Sequence, residues 1–196
     1  MPQFIETIAF EKGNYPLLSY HQERVNRAFA GYFPGQTPHD LSQVLPELNF
    51  DEKHKVRMVY GQDTIDIEYS LHQKRDIRRL TLAYDDEISY DHKFVDRANL
   101  KQHYDNRGEA DEVIIIKNGL VTDSFWANLV FFDSRKWVTP DSNLLPGVMR
   151  AYLLDRGEIE SATIYDYEIA WFEKIGLINA LNPLGEIVID AEDLVL

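Results

Sequence analysis

Several short segments in the first half of the chain alternate apolar and polar residues, or form short apolar runs between turn residues. A period of two is typical of half-buried strands, because successive side chains point to opposite faces of a sheet. The segments with this pattern are 4–10, 15–18, 55–61, 64–70 and 78–85. Over residues 19–33 the apolar positions recur every three to four residues, which predicts a helix that Ser19 and Gln22 would open as a capping box. A short helix is expected around 41–48.

The second half has longer apolar runs and stronger turn signals. Residues 110–117 form a nearly continuous apolar strand, and Asn118-Gly119 is a typical two-residue hairpin turn into 120–123. Pro146 and Gly157 stand where the first turn and the end of a helix over 146–156 are expected. The remaining predicted elements are strands at 128–133, 136–139, 162–166, 176–181 and 186–190, and a short helix at 167–173.

These elements predict a mixed α+β chain in two parts. A small N-terminal α/β domain would span residues 1–85, an acidic linker 86–92, and a larger β-rich, barrel-like domain 93–196. The length of 196 residues allows two small domains. Hydrophobic residues make up 44% of the chain, which is enough to bury a core and argues against disorder.

Charge and residue usage exclude several classes of function. The chain has 33 acidic and 20 basic side chains and a net charge of -13, which repels a phosphate backbone and disfavours nucleic-acid binding. There is no cysteine, which excludes disulfides and cysteine nucleophiles. No two of the six histidines have the one-turn spacing of a helical zinc site, so no metal is expected. Without a basic leader or a long apolar run, we expect a soluble, cytoplasmic protein that binds no membrane.

Eight segments in a fixed order carry a family pattern that none of them carries alone. They are FIETI, HQERVNRAF, KVRMVYG, HKFVDR, ADEVIIIKNGLVTD, NLVFF, LLPGVMR and LINALNPLGEI. Together they resemble the class IV pyridoxal-phosphate enzymes, which include branched-chain and D-amino acid aminotransferases and aminodeoxychorismate lyase. The resemblance covers most of the chain and implies fold type IV (D-amino acid aminotransferase-like), a pyridoxal 5'-phosphate cofactor and a homodimer.

The resemblance also implies which lysine reacts with the cofactor. Lys93, in HKFVDR, matches the lysine that forms a Schiff base with the cofactor and then carries protons as a general base. The alternative is a surface lysine beside Asp91 and Asp96. Lys101 is the competing candidate. It ranks below Lys93, because it lies too close to the apolar strand at 110–117 to match the family spacing.

A carboxylate that keeps the cofactor ring nitrogen protonated is implied at Asp123. The family has a glutamate after the hairpin strand, and Val121-Thr122-Asp123 puts an aspartate there, one methylene shorter. The alternative is a solvated aspartate that ends a strand. Asn128 follows where the family reads N-L-F.

Three segments are implied to hold the cofactor phosphate. LLPGVMR places Gly147, Val148 and Met149 at a helix start, where backbone N–H groups can bind an anion. In the last segment, Asn179 or Ala180 stands where the family has a hydroxyl residue.

Arg24 is the third implied contributor, matching the arginine that clamps the phosphate. The alternative is a helix-surface arginine that pairs with Glu23 or Asp40.

Three further residues are candidates for substrate contact. Arg97 lies about one turn after Lys93, where the family usually has a tyrosine, and it could equally pair with the preceding aspartate. Trp126 stands where the family has small residues, and it would either narrow the pocket or simply pack. Arg57 would meet a substrate carboxylate or lie outward beside Asp63 or Glu68.

The leading hypothesis is therefore a class IV aminotransferase that acts on an amino acid or amino-bearing acid. This reaction is favoured only because it is the larger group in the family. An aminodeoxychorismate lyase that releases pyruvate would use the same residues. A non-catalytic relative that keeps the fold is the other class, favoured by the shorter Asp123, the missing tyrosine and hydroxyl, and a first half shorter than in typical members.

Overall fold

The computed structural model describes residues 2–195, which pack as two compact units. Unit 1 comprises the chain up to residue 73 together with 92–96. Unit 2 comprises 74–91 and the chain from 97 onward. The chain thus crosses between units three times, whereas the sequence predicts one passage through the linker 86–92.

Unit 1 is an antiparallel three-stranded sheet with two helices. Its strands occur in the order β1-β2-β3. The elements are β1 (Phe4–Phe10), α1 (Leu18–Tyr32), α2 (Leu41–Val44), β2 (His54–Tyr60) and β3 (Ile65–Leu71). Helix α1 buries Val25, Ala28 and Phe29 in one core cluster with residues of β1 and β2. The predicted three-to-four residue spacing therefore identifies the face of α1 that packs on the sheet.

Two local predictions for unit 1 are wrong. Residues 15–18 do not form a strand, because Leu17 has a left-handed backbone (φ 61°) and Leu18 already begins helix α1. The capping box is absent, since Leu17 is the N-cap residue and no side chain caps it. Gln22 instead donates to the His39 carbonyl and accepts from the Leu41 N–H, which ties α1 to the start of α2.

Strand β3 forms where it was predicted but is not half-buried. By register Tyr60 pairs with Ile65 and Met58 with Ile67, so the apolar residues of β3 continue the core-facing side of β2. Tyr69 and Leu71 are nevertheless 52% and 50% exposed. The strand lies at the edge of the sheet, which leaves an apolar stripe open in this chain.

Unit 2 contains two sheets, whose strand orders are β11-β10-β7-β8-β9 and β12-β4-β5-β6. Over the residues described, they do not close into the predicted barrel. The strands are β4 (Leu80–Tyr84), β5 (Glu112–Lys117), β6 (Leu120–Val121), β7 (Asn128–Phe132), β8 (Trp137–Pro140), β9 (Glu160–Ala162), β10 (Lys174–Ile178), β11 (Val188–Asp190) and β12 (Leu194–Val195). The helices are α3 (Ala98–Asp105), α4 (Val148–Asp155) and 3-10 helices at Asp166–Trp171 and Ala191–Asp193.

The strongest local signals of unit 2 are confirmed. Asn118 and Gly119 both have positive φ (52° and 74°), as the tight turn between β5 and β6 requires. Helix α4 forms within the predicted 146–156. Helix α3 was not predicted, because Leu100 is its only buried residue and most of its other residues are polar or charged.

Residues 85–91, at the predicted linker, are anchored on unit 2. The Asn118 N–H donates to the Asp86 carboxylate, and Lys117 Nζ donates to the Ile88 carbonyl. Ile88 and Tyr90 are buried. An acidic, irregular sequence therefore has fixed contacts here, because its two apolar side chains are enclosed. No helix within residues 2–195 is long and apolar enough to cross a membrane.

Candidate active site

Asp123 is one of the predicted site residues that the structure buries. It follows the β5–β6 hairpin, and the Ile115 N–H of β5 donates to its backbone carbonyl over 2.9 Å. Its carboxylate accepts from Asn128 Nδ2 over 2.7 Å and from the Leu145 N–H over 2.8 Å. The side chain is buried, so the alternative of a solvated aspartate at a strand end is wrong.

Burial raises the pKa of Asp123 to about 6, although the hydrogen bonds from Leu145 and Asn128 act in the opposite direction. Within residues 2–195 no cation lies within ion-pair distance of this carboxylate. Arg150 is close enough only to lower its pKa somewhat. A buried carboxylate in this state would be stabilised by a cationic N–H placed against it.

Gly147 packs directly against Asn128, whose side chain donates a hydrogen bond to the Asp123 carboxylate. Asn128 Nδ2 also donates to the Leu145 carbonyl, over 2.8 Å. A Cβ atom at position 147 would overlap Asn128 Oδ1. The glycine predicted for the phosphate site is therefore required for packing on Asn128, and the start of α4 and Asp123 belong to one rigid assembly.

Gly147 is the N-cap residue of α4, and Val148 and Met149 are its first two residues. The first N–H groups of a helix have no partner within the helix and carry its positive end, which suits a phosphate. Arg150 donates to Thr139 Oγ1 and to the Pro140 carbonyl, which fixes this helix start to β8.

Asn179 follows β10 and builds a turn. Its Oδ1 accepts from the N–H groups of Leu181 and Asn182 over 2.8 and 3.0 Å. Its Nδ2 lies 3.5 Å from the Trp126 carbonyl, which connects the turn to the segment after Asp123. The Asn179 N–H also donates to the Asn182 carbonyl over 3.0 Å, so a backbone contact to a phosphate from this turn would come from the Ala180 N–H.

Arg24 is buried on helix α1 and pairs with Glu6 of β1, not with Glu23 or Asp40. Its Nε and Nη2 donate to the two Glu6 carboxylate oxygens over 2.8 and 2.5 Å. His21 Nδ1 lies 2.5 Å from Glu6 Oε2, and all three side chains are buried. Glu6 thereby fixes the orientation of the guanidinium.

In the Glu6–His21–Arg24 cluster, the opposite charges of Glu6 and Arg24 stabilise each other. Burial alone would raise the pKa of Glu6, but Arg24 and His21 outweigh that effect and hold it below its usual value. Burial lowers the pKa of His21, in spite of the nearby Glu6 carboxylate. The positive charge of Lys93 lowers it further, so Lys93 lies close enough to the cluster to influence it.

Lys93 is half-buried in unit 1. The Ile5 N–H of β1 donates to the Lys93 carbonyl over 2.9 Å, and the next residue, Phe94, forms a bridge with Phe4. The backbone of Lys93 is thus fixed to the sheet edge that also carries Glu6. Lys101, the second candidate, is exposed on α3 and pairs with Asp105 over 2.6 Å.

Two of the predicted substrate residues lie near each other in unit 2. Arg97 precedes helix α3, and its Nη2 donates to the Phe125 carbonyl. Trp126 is half-buried against the core, with Arg75 over its ring at 4.9 Å. Arg57 lies on the side of β2 opposite the core and faces Glu68 across the strands, with 3.7 Å between Nη1 and Oε1. This is the outward position considered as the alternative for Arg57.

The buried polar residues that sequence reasoning did not single out include Glu6, His21 and Glu112. Glu6 and His21 lie in two of the segments that carry the family resemblance. The available signal was an acidic residue at an otherwise apolar position of a predicted strand. Glu112 begins an apolar strand, where an acid is unusual. Within residues 2–195 no group of three or more histidine, aspartate or glutamate residues could hold a metal ion.

Comparison with known proteins gives the class. The family model "Amino-transferase class IV" matches residues 3–188, and the chain belongs to that family. An uncharacterized protein of Haemophilus influenzae is 34% identical over 189 residues, which are 94% of this chain and 100% of that protein.

Two solved structures show the same architecture. A "putative 4-amino-4-deoxychorismate lyase" from Haemophilus somnus 129PT is 31% identical, with a TM-score of 0.89 over 94% of this chain and 98% of that one. A hypothetical aminotransferase from Mycobacterium tuberculosis in its PLP-bound form has a TM-score of 0.72 at 14% identity, over 92% of this chain and 78% of that one. The predicted fold type IV is therefore confirmed.

Proposed function

We propose that this protein is a pyridoxal-phosphate enzyme that acts on the amino group of an amino acid or amino-bearing acid. The observation that carries the proposal is the buried, hydrogen-bonded Asp123 carboxylate, which has no ion-pair partner within residues 2–195. Such a carboxylate fits a protonated ring nitrogen. The start of α4 at Gly147 fits a phosphate, and the buried Arg24 supplies a guanidinium that Glu6 holds in one orientation.

When bound, the cofactor would supply an aldehyde that a lysine joins as a Schiff base and a ring that withdraws electrons from the substrate. Asp123 would hold the proton on the ring nitrogen. The backbone N–H groups of Val148 and Met149, with Arg24, would hold the phosphate. Lys93 Nζ would hold the cofactor aldehyde and would serve as the base that accepts the proton from the substrate carbon and later gives it back.

The cofactor assignment is tested on the native protein. We expect addition of pyridoxal phosphate to give a yellow protein with a visible absorption band. Borohydride should remove the band and add the reduced cofactor to the peptide that contains Lys93. Label on Lys101 would contradict the assignment of Lys93. Absence of any band at saturating cofactor would favour a non-catalytic relative that keeps the fold.

An aminotransferase is the first candidate reaction because it is the larger group in the family, and a lyase that releases pyruvate is the second. The lyase is supported by the 31% identity with the Haemophilus somnus protein described as a "putative 4-amino-4-deoxychorismate lyase". The two reactions are separated by their products. Pyruvate formed from 4-amino-4-deoxychorismate without an amino acceptor supports the lyase, whereas amino transfer from an amino acid to a 2-oxo acid supports the aminotransferase.

We also propose a homodimer, in which a second copy covers the open apolar stripe of β3. Tyr69 and Leu71 extend the buried face of β2, yet about half of each side chain is exposed. Apolar patches of this kind mark protein interfaces. We expect the native protein to sediment as a dimer and the Tyr69→Lys variant to sediment as a monomer. Asp66→Lys, on the opposite face of the same strand, should remain dimeric, and a monomeric native protein would contradict the proposal.

A further inference from the structure

The segment 123–128 carries the carboxylate that the proposed function depends on. Its two ends meet, because Asp123 bridges Asn128 and the Ser124 N–H donates to the Ala127 carbonyl over 2.9 Å. Ser124 Oγ also accepts from the Ala127 N–H over 3.0 Å. Between these ends lie Phe125 and Trp126. The Trp126 N–H donates to Ser124 Oγ over 3.4 Å, whereas the N–H and the carbonyl of Phe125 are bonded by residues outside the segment.

Glu112 holds one side of Phe125. It is the first residue of β5 and is fully buried. Its Oε1 accepts from the Phe125 N–H over 3.2 Å and from the Val113 N–H over 3.0 Å. Its Oε2 is buried and has no hydrogen-bond partner within the described residues. Burying a carboxyl oxygen without a hydrogen bond costs free energy of folding, so we expect this side chain to have a specific role.

Arg97 holds the other side of Phe125. Its Nη2 donates to the Phe125 carbonyl, and its guanidinium lies 4.4 Å above the Phe125 ring. Tyr104 stacks on the same ring with 4.7 Å between centroids. The two peptide groups that flank the Phe125 Cα are therefore fixed separately, one by Glu112 and one by Arg97.

Strand β5 connects these contacts to Asp123. The Ile115 N–H donates to the Asp123 carbonyl, and the Ile115 carbonyl accepts from the Thr122 N–H. Glu112, three residues earlier on the same strand, holds Phe125, two residues after Asp123. Strand β5 thus holds the backbone on both sides of the Asp123 side chain, at Thr122 and Asp123 through Ile115 and at Phe125 through Glu112.

We propose that Glu112 and Arg97 are positioning residues that fix the Phe125 backbone and thereby hold the Asp123 carboxylate where the cofactor ring nitrogen would meet it. The proposal rests on the proposed function. Glu112 acts only through Phe125, because it is fully buried and its bonded oxygen is used by backbone N–H groups. This gives Arg97 a task that differs from the predicted substrate contact.

The test compares cofactor binding by Glu112→Met and Glu112→Gln with binding by the native protein. Affinity and the visible band are measured by titration with pyridoxal phosphate. Methionine keeps the volume but cannot accept the Phe125 N–H, so we expect an affinity at least tenfold weaker and a shifted band. Glutamine keeps an acceptor oxygen and should bind within about threefold of the native protein. Glu173→Met, at an exposed site of the same unit, is the matched control and should leave the affinity unchanged.

A folded Glu112→Met protein that binds within twofold of the native affinity would overturn the proposal. If Glu112→Met does not fold, Arg97→Ala takes its place under the same criterion, because it removes the contact from a half-buried position. Should the native protein itself show no band, the proposed function fails and this inference fails with it. A native protein that binds together with unaffected variants would overturn this inference alone.

A second readout uses pH. Burial raises the pKa of Glu112 to about 7. Its backbone hydrogen bonds and the charges of Arg75 and Arg107 act in the opposite direction. Arg97 is the third cation that faces this carboxyl group. Because the pKa is raised on folding, its contribution to stability is present at low pH and is lost as pH rises from about 4.5 to about 7. Glu112→Gln should remove that loss from the pH profile of thermal stability. An unchanged profile would show that Glu112 does not titrate as its burial requires.

Discussion

The Lys93→Ala variant is expected to lose activity by roughly 10²- to 10⁴-fold, the range for removing a group that transfers protons, and to lose the covalent link to the cofactor. Alanine keeps the backbone carbonyl that accepts from the Ile5 N–H of β1, so this contact with the sheet is retained in the variant. The measurement is turnover of the accepted substrate, together with the mass of the borohydride-treated protein. Substrate is chosen by the product assay that separates transfer from pyruvate release.

Lys101→Ala is the matched control for this experiment. Lys101 is exposed and forms an ion pair within helix α3, so its loss should cost little stability and no activity. Native-like turnover by Lys93→Ala, or loss of turnover by Lys101→Ala alone, would contradict the assignment. A folded Lys93→Ala protein that still binds the cofactor without covalent attachment would agree with it.

Glu6→Ala is expected to destabilise the protein by about 3–5 kcal/mol, because it leaves the guanidinium of Arg24 buried without its carboxylate. The measurement is urea unfolding followed by circular dichroism. Glu68→Ala is the control, since Glu68 is exposed and lies 3.7 Å from Arg57, and it should cost less than about 1 kcal/mol. Equal costs for the two variants would contradict the energetic role given to the buried cluster.

The same cluster predicts a pH dependence. The pKa of Glu6 is lowered on folding, so its contribution to stability is present above its ordinary value of 4.5 and is lost as pH falls below that value. Unfolding free energies of the native protein should therefore fall on acidification through this range. Glu6→Gln should show a smaller fall, and an identical fall would contradict the lowered pKa.

Local chemistry explains which parts of the fold could be predicted. The positive φ of Asn118 and Gly119 depends mainly on these two residue types and little on distant parts of the chain. The dipeptide alone therefore indicates the hairpin. The pattern that buries Val25, Ala28 and Phe29 is likewise a property of a single helix. The capping box failed because a left-handed Leu17 starts helix α1, and side-chain capping is only one of several ways to begin a helix.

Contacts between distant segments could not be predicted in the same way. Glu6 meets Arg24 across 18 positions, Asp123 meets the Leu145 N–H across 22, and Arg97 meets the Phe125 carbonyl across 28. No local sequence pattern indicates that the members of these pairs are in contact. The family resemblance assigned roles to Arg24 and Asp123 but did not indicate the partners that hold them.

The sequence by itself determined the type of most elements and the family, since periodicity, turn chemistry and an ordered series of motifs are all written along the chain. Tertiary structure decided which polar groups are buried and what holds them. Burial depends on which segments pack together, and it makes Asp123 an enclosed acid and turns Arg24 toward Glu6. It also leaves Tyr69 and Leu71 about half exposed, because β3 lies at the edge of its sheet and within residues 2–195 it pairs with β2 alone.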